Sequence, residues 1–203
     1  MSVLRQLFGP NKEEVWRKLC SEIGGTYVDG GFWKGDKVQA AHGEWTITLD
    51  TYVVSTGKTT VSYTRLRAPY VNPDGFRFTV YRRGLFTDIA KWFGMQDVEV
   101  GHAGFDEDFV IKGSDSDKLR TLFDDSKLRE LLEAQPEVHF TVGDDEGFFG
   151  AHFPDGTDEL CFTVVGVIKD TDRLKKLFEL FAETLDQLCR MGSAYKGAPS
   201  LKL

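Results

Sequence analysis

The segment LCFTVVGVIKDTDRLKKLFELFAETLDQLCRM, residues 160–191, decides the fold. Residues 160–168 form an almost continuous apolar run, which is typical of a central strand with both faces covered. Over residues 171–191, apolar side chains recur at helical spacing and predict one long amphipathic helix. We expect its apolar face to cover the sheet of the same chain, and pairing with a helix of a second chain is the alternative. This face comprises Leu174, Leu177, Phe178, Phe181, Leu185 and Leu188.

The amino-terminal half combines one helix with a series of strands. A helix is predicted over residues 11–23, because Asn11 offers a side-chain cap and Gly24 follows the last apolar residue. From residue 26 to residue 81, apolar and polar side chains alternate, which indicates half-buried strands. The tract STGK at residues 55–58 predicts a hairpin turn, so residues 44–67 should form an antiparallel pair.

The carboxyl-terminal half alternates short strands with short helices. Ser114 and Asp125 are predicted to cap two consecutive helices, because each precedes apolar residues at helical spacing. A further short helix is predicted between Gly84 and Gly94. Strands are predicted at residues 109–112, 138–142 and 148–153. These patterns together predict an α+β fold, in which a mainly antiparallel sheet is covered by several helices and the long amphipathic helix is carboxyl-terminal.

The length of 203 residues suits one large domain or two small ones. The best candidate boundary is the loop at residues 94–104, where the sheet-rich half meets the mixed half. The sequence contains no internal repeat and no low-complexity linker. We therefore predict a single domain over residues 1–203, with subregions 1–94 and 95–203.

The formal charge of −7 at pH 7 argues against a nucleic-acid-binding protein, whose affinity depends on lysine and arginine contacts with phosphates. The densest basic positions lie in strand-like segments beside tyrosines, a mixture that single-strand binders also use. We interpret them as an ordinary polar strand face, because the chain as a whole is acidic. These positions are Arg65, Arg67, Arg77, Arg82 and Arg83.

Cysteine usage and hydropathy predict a cytoplasmic protein. The three cysteines, Cys20, Cys161 and Cys189, lie far apart in apolar stretches, which is typical of buried thiols in a reducing compartment. The amino-terminal apolar run is too short for a signal peptide, and no later segment has the apolar length that spans a bilayer. Residues 85–93 would also suit attachment to an anionic membrane surface, but we interpret this apolar stripe as ordinary sheet cover.

The run FDEDFVIKG at residues 105–113 precedes Asp117 and Leu122, and the chain closes with an apolar strand and a long helix. This arrangement resembles that of uncharacterised bacterial families described only as domains of unknown function. In those families a strand of the form F-x-x-x-F-x-V/I-x-G leads into helices and the chain ends in an amphipathic helix. The resemblance covers the second half of the chain and implies a bacterial source. It carries over no catalytic or binding residue.

One acidic tract contains the ligand types that a hard or borderline divalent cation prefers. Asp97, Glu99, His102 and Asp106 offer carboxylate oxygens and an imidazole nitrogen within a short stretch. The alternative is a solvated acidic loop, since alternation along an extended segment would place Asp97 and Glu99 together on the solvent-facing side.

Two aromatic segments are candidate protein-binding loops. Phe148 and Phe149 follow an acidic turn, and consecutive side chains of a regular strand face opposite ways, so one ring is expected at the surface. Trp33 lies in the glycine-rich tract of residues 24–35, whose turns would expose or bury its ring. In the alternative interpretation, the rings pack beneath a hairpin turn.

No serine or cysteine has the glycine frame of a nucleophile elbow, and the chain carries no phosphate-loop, zinc-knuckle or calcium-loop motif. We therefore predict a non-catalytic protein-binding or accessory module that needs no cofactor. Its expected partner is another protein rather than nucleic acid or a membrane, and a homo-oligomer is also compatible with the sequence. The alternative function is a metal-dependent hydrolase that uses the acidic tract around His102.

Overall fold

The computed structural model describes residues 11–31, 35–55, 57–84, 97–144 and 153–195. Within these ranges the chain forms five α-helices and eight β-strands. The helices are α1 (Lys12–Ile23), α2 (Ala103–Asp108), α3 (Ser116–Phe123), α4 (Ser126–Glu133) and α5 (Thr171–Arg190). The strands are β1 (Thr26–Val28), β2 (Lys37–His42), β3 (Trp45–Ser55), β4 (Thr60–Val71), β5 (Phe78–Arg82), β6 (Phe109–Gly113), β7 (His139–Gly143) and β8 (Thr157–Val165).

The eight strands form one sheet in the order β1-β2-β3-β4-β8-β7-β5-β6. Each neighbouring pair is antiparallel, so the predicted sheet type is confirmed. The long β3–β4 hairpin and β8 occupy the middle of the sheet, where the apolar run of β8 was expected. Strands from both halves of the chain are therefore hydrogen-bonded into the same sheet.

The two faces of the sheet differ in composition. On the face that we call the helix-covered face, residues such as Leu66, Phe140 and Phe162 join one hydrophobic core with α1, α3, α4 and α5. The long helix α5 contacts β4 and the other three of these helices, and the Phe181 and Phe140 ring centroids are 5.6 Å apart. The predicted α+β class, with a helix-covered antiparallel sheet and a long carboxyl-terminal helix, is confirmed.

The side chains that alternate with these core residues along each strand project to the other side of the sheet, which we call the polar face. It carries Asp50 on β3, Arg65 and Arg67 on β4, and Glu159 and Cys161 on β8. Alternation along a strand sends successive side chains to opposite faces, so each central strand contributes to both surfaces. The polar face is consequently built from the same strands that hold the apolar core.

Several local predictions are confirmed at single residues. The Asn11 side chain accepts a hydrogen bond from the Glu14 amide at 2.8 Å and caps α1. Gly24 ends that helix with φ of 69°, a left-handed conformation that favours glycine. Asp125 caps α4 by accepting from the Leu128 amide at 3.0 Å.

The strand predicted at residues 109–112 is confirmed as β6, whereas the longer strand that the family resemblance implied across residues 105–113 is not formed. Residues 103–108 form the short helix α2, and β6 starts only at Phe109. The Asp106 carboxylate accepts from the amides of Val100, Gly101 and His102 at 2.9–3.0 Å, which stabilises the turn into α2. The alternation of apolar residues cannot predict such a contact between a side chain and backbone amides.

The predicted cap of α3 was off by one residue. Asp115 caps the helix by accepting from the amides of Asp117 and Lys118, both at 3.0 Å. The Ser114 hydroxyl instead accepts from the Arg77 amide at 3.0 Å and joins the loop before β5. Both residue types are good caps, so their order in sequence alone does not distinguish them.

The helix predicted between Gly84 and Gly94 falls almost wholly on residues 85–96, and most of the strand predicted at residues 148–153 falls on residues 145–152. Both segments lie outside the described residues. Among the helices that the structure describes, none combines the length and the hydropathy needed to cross a membrane.

Candidate functional site

Charged side chains on the polar face join the three central strands. Asp50 lies directly opposite Arg65, and its carboxylate accepts from Arg65 Nε and Nη2 at 2.9 Å each. Arg67 Nη2 lies 3.3 Å from Asp50 Oδ2, and Arg67 Nη1 lies 4.0 Å from Glu159 Oε1. Asp50, Arg67 and Glu159 are buried, and a buried charge is costly unless it is paired. This network therefore fixes β3, β4 and β8 relative to one another.

An aromatic pair continues the polar face towards the tip of the β3–β4 hairpin. Tyr52 and Tyr63 lie opposite each other on β3 and β4, and their rings stack with centroids 5.0 Å apart and planes 11° apart. The Arg65 guanidinium carbon lies 5.1 Å from the centroid of the Tyr52 ring, within the range of a cation–π contact. The Tyr52 ring thus contacts the charged network, and the Tyr63 ring stacks on it.

Exposed valines surround this pair. Val53 is 60% exposed, Val54 42%, Val165 54% and Val167 36%. Val165 lies opposite Tyr63, and the Gly166 amide donates to Ser62 at 2.7 Å, so these residues meet at one end of the sheet. We define the valine–tyrosine patch as Tyr52, Val54, Tyr63, Val165 and Val167; Val53 lies at the same end of the sheet but projects to the opposite face, because it alternates with Tyr52 and Val54 along β3. Exposed apolar side chains that gather in one place mark contact sites more often than scattered single residues do.

The thiol in the middle of the polar face is poorly suited to nucleophilic chemistry. Burial raises the pKa of Cys161 to about 12, and the neighbouring Glu159 carboxylate acts in the same direction. Burial also raises the pKa of Tyr52. Since the thiolate is the reactive form of cysteine, Cys161 stays protonated and weakly nucleophilic near neutral pH.

A cleft of about 580 Å³ opens at the other end of β4 and β8. We call it the β4–β8 cleft, and it is lined by Asn72, Gly75, Arg77, Asp144, Phe153, Pro154, Asp155, Gly156, Thr157 and Asp158. The Asp158 carboxylate, 3% exposed, accepts from Asn72 Nδ2 and from Arg77 Nε and Nη2, the latter two at 3.2 and 3.1 Å. Arg77 Nη1 contacts Asp144 Oδ2 at 2.8 Å. The cleft therefore contains a paired arginine and three carboxylates.

The predicted metal-binding residues serve other contacts in the structure. Asp106 holds the turn into α2, as described above. Asp97 Oδ1 accepts from the Ile111 amide at 3.3 Å, and its Oδ2 lies 3.7 Å from Arg83 Nη2. These two carboxylates thereby join the chain before α2 to β6 and to the end of β5.

His102 and Glu99 complete that predicted set. His102 Nε2 lies 2.9 Å from Arg129 Nη1 and 3.6 Å from Asp124 Oδ1, and Glu99 is exposed. Across the described ranges, no group of three or more His, Cys, Asp and Glu side chains is placed to hold a metal ion.

The three predicted protein-binding residues, Trp33, Phe148 and Phe149, lie outside the described residues. Sequence reasoning missed the valine–tyrosine patch and the β4–β8 cleft. The signal that would have found the patch is the run of consecutive apolar residues Tyr52, Val53 and Val54. On a half-buried strand, every second side chain should be polar, and this run breaks that alternation.

The five arginines that were interpreted as a polar strand face all lie near carboxylates. Arg65 and Arg67 contact Asp50, and Arg77 contacts Asp158, as given above. The remaining contacts are Arg82 with Asp108 at 2.9 Å and Arg83 with Asp97 at 3.7 Å.

Comparison with known proteins adds a fold likeness. No protein-family model and no curated protein matches the sequence. The crystal structure of the mycobacterial trehalose monomycolate transport factor A, TtfA, is similar, with a TM-score of 0.50 and 10% sequence identity. The match covers 93% of this chain and 98% of that one, so the likeness extends over nearly the whole fold of both.

Proposed function

We propose that this chain is a non-catalytic binding module that docks another protein on its valine–tyrosine patch. One observation carries the proposal. Three of the six large apolar side chains that are exposed in the described ranges, Val54, Val165 and Val167, lie in this patch at one end of the sheet. Apolar surface gathered in one place is costly to leave in water, and a partner that covers it gains the free energy of burial.

The chemistry of the patch suits a protein partner. Tyr52 and Tyr63 supply large rings with a polar tip, the side-chain type that is enriched at the energetic centres of interfaces. The paired charges of Asp50 and Arg65 beside the rings hold them in place, which lowers the entropy that is lost on binding. A prearranged aromatic centre with apolar surroundings is how many docking surfaces are organised.

The structural neighbour is compatible with an accessory role. That protein is a trehalose monomycolate transport factor, and an accessory role for this chain agrees with that description. A likeness at 10% identity supports the fold alone, so the proposed binding function depends on the surface of this chain.

The test compares two valine substitutions of matched type. Val165→Lys lies in the patch, whereas Val28→Lys lies on the edge strand β1 and serves as the control, since Val28 is also an exposed valine. Proteins that co-purify with each variant, expressed at native level in its own organism, are quantified by mass spectrometry. We expect one stoichiometric partner with the unmodified chain and with Val28→Lys, and at least about a tenfold loss with Val165→Lys, the scale of one interface hot spot.

Equal recovery of the partner with both valine variants would contradict the patch as its docking surface. Circular dichroism spectra that match those of the unmodified chain verify that each variant is folded. Phe148→Ser with Phe149→Ser, and Trp33→Ser separately, form further arms of the same experiment. Loss of the partner in these arms with folding intact would extend the proposed surface to the aromatic loops.

A further inference from the structure

The β4–β8 cleft has an excess of negative charge. Among the described residues that line it, Asp144, Asp155 and Asp158 stand against one arginine, Arg77. Asp155 is exposed, and the Asp144 side chain is 59% exposed, so both act at the rim rather than in the core. Field lines in a concave site raise the local concentration of ions of opposite sign. The cleft therefore favours a cation over an anion.

Arg77 does not reverse that preference. Its Nε and Nη2 atoms donate to Asp158, and its Nη1 atom contacts Asp144, so each nitrogen of the guanidinium already faces a carboxylate. A phosphate or carboxylate ligand would have to displace one of these partners. Arg77 thus holds the carboxylates in position and offers little to an incoming anion.

One buried side chain that lines the cleft has a polar atom with no partner among the described residues. Asn72 is 4% exposed and lines the cleft; its amide nitrogen donates to Phe76 and Asp158, while its Oδ1 accepts nothing. Buried polar groups nearly always have a hydrogen-bond partner, so an acceptor without one beside a cleft indicates that a ligand supplies the donor.

The walls suit an alkyl stem that carries such a donor. Phe153 and Pro154 contribute apolar surface to the wall of the cleft. Lysine and arginine side chains lay their methylene groups along surfaces of this type and keep the charged group at a polar site. A volume of about 580 Å³ is in the range of small-ligand pockets.

We propose that the β4–β8 cleft is a binding site for a cationic nitrogen group, a guanidinium or a primary ammonium on an alkyl stem. The rim carboxylates of Asp144 and Asp155 attract the charge, and the acceptor of Asn72 receives an N–H group. The site lies at the opposite end of β4 and β8 from the valine–tyrosine patch and is independent of the proposed docking there.

The experiment is a titration followed by amide NMR of the full chain. The probes are N-acetyl-arginine amide and N-acetyl-lysine amide, with the citrulline analogue as the neutral control of the same shape. We expect saturable shifts at the amides of Gly75, Gly156 and Thr157 with the cationic probes and none with citrulline. Added salt should weaken the binding because both rim carboxylates are solvent-exposed.

Asp155→Asn is the decisive variant, since Asp155 lines the cleft without pairing to Arg77 in the structure. We expect it to weaken binding of the arginine probe about threefold, the scale of one partly exposed ion pair. Asp117→Asn, at a side chain that is 92% exposed on α3, is the matched control and should leave binding unchanged. The amide spectrum itself reports whether each variant is folded.

Absence of saturable shifts with both cationic probes, equal shifts with citrulline, or unchanged binding in Asp155→Asn would overturn the proposal. A capped arginine-containing peptide separates the two sources of the cation. Tighter binding of the peptide than of the arginine amide assigns the site to a basic side chain of a protein, and equal affinity assigns it to a free small amine. Val165→Lys should bind the probes normally, so failure of the docking patch is distinguishable from failure of the cleft.

Discussion

On the helix-covered face of the sheet, Phe140 and Phe181 meet through apolar rings, whereas on the polar face Asp50, Arg65 and Arg67 meet through charges. The rings are stabilised by leaving water, and their contacts tolerate small rearrangements. The charges lose hydration on burial, and their mutual contacts offset the free-energy cost of that loss only while every partner is present. One face of this sheet therefore supplies most of the stability, and the other fixes the geometry on which the valine–tyrosine patch depends.

Removal of a large ring from the helix-covered face should have the largest effect. Phe181→Ala deletes a fully buried side chain of α5 and leaves a cavity against Phe140. We expect a loss of about 4 kcal/mol in the free energy of unfolding, measured by urea denaturation. Val53→Ala, at a side chain that is 60% exposed, is the control and should change it by less than about 0.5 kcal/mol. Similar losses in the two variants would mean that α5 does not form the main core contact.

Loss of the central carboxylate on the polar face should have the next largest effect. Asp50→Ala leaves the guanidinium groups of Arg65 and Arg67 without their shared partner. We expect a loss of about 3 kcal/mol in the free energy of unfolding, because Arg65 loses two hydrogen bonds to a carboxylate and the buried Arg67 loses the carboxylate 3.3 Å away. Asp117→Ala removes a carboxylate that is 92% exposed and pairs with Arg120 on the surface, and it should cost less than about 1 kcal/mol. A loss no greater than that of Asp117→Ala would show that the network contributes little.

A titratable side chain on the polar face should produce the smallest effect. Burial lowers the pKa of His139, so the folded protein binds a proton at this site less readily than the unfolded chain does. Stability should therefore be complete above the unfolded value of about 6.5 and should fall as the pH drops through it towards the folded value. We expect the free energy of unfolding to decrease less from pH 7.5 to pH 5.5 in His139→Gln than in the unmodified chain. Parallel pH profiles of the two proteins would exclude this contribution.

Much of the fold was predictable because its signals are local. The cap of Asn11, the stop at Gly24 and the spacing of apolar residues in α5 all act over a few neighbouring residues. The short helix α2 was not predictable from alternation, since it depends on the Asp106 carboxylate, which reaches back to three amides of the preceding turn. The cap of α3 was missed by one residue, because the position of Ser114 is decided by its contact with Arg77.

The candidate sites were much less predictable. The acidic tract around His102 contains the right ligand types for a cation, but in the structure Asp97 and Asp106 hold backbone amides and His102 contacts Arg129. The sequence shows which carboxylate and imidazole side chains are present, whereas only the structure shows which of them already contact other groups. The valine–tyrosine patch illustrates the reverse case, since Tyr63 and Val165 become neighbours through the register of β4 and β8.

The amino-acid sequence is enough to predict the class of the fold, the antiparallel hairpin, the central position of β8 and the amphipathic helix that covers the sheet. These features follow from propensity, capping and periodicity, which act between residues close in the chain. Only the tertiary structure shows that Asp50 contacts Arg65 and Arg67, that four exposed valines lie at one end of the sheet, and that a cleft forms beside Asp158. Such sites depend on strand register between distant segments, and a shift of one residue would send every side chain of a strand to the opposite face.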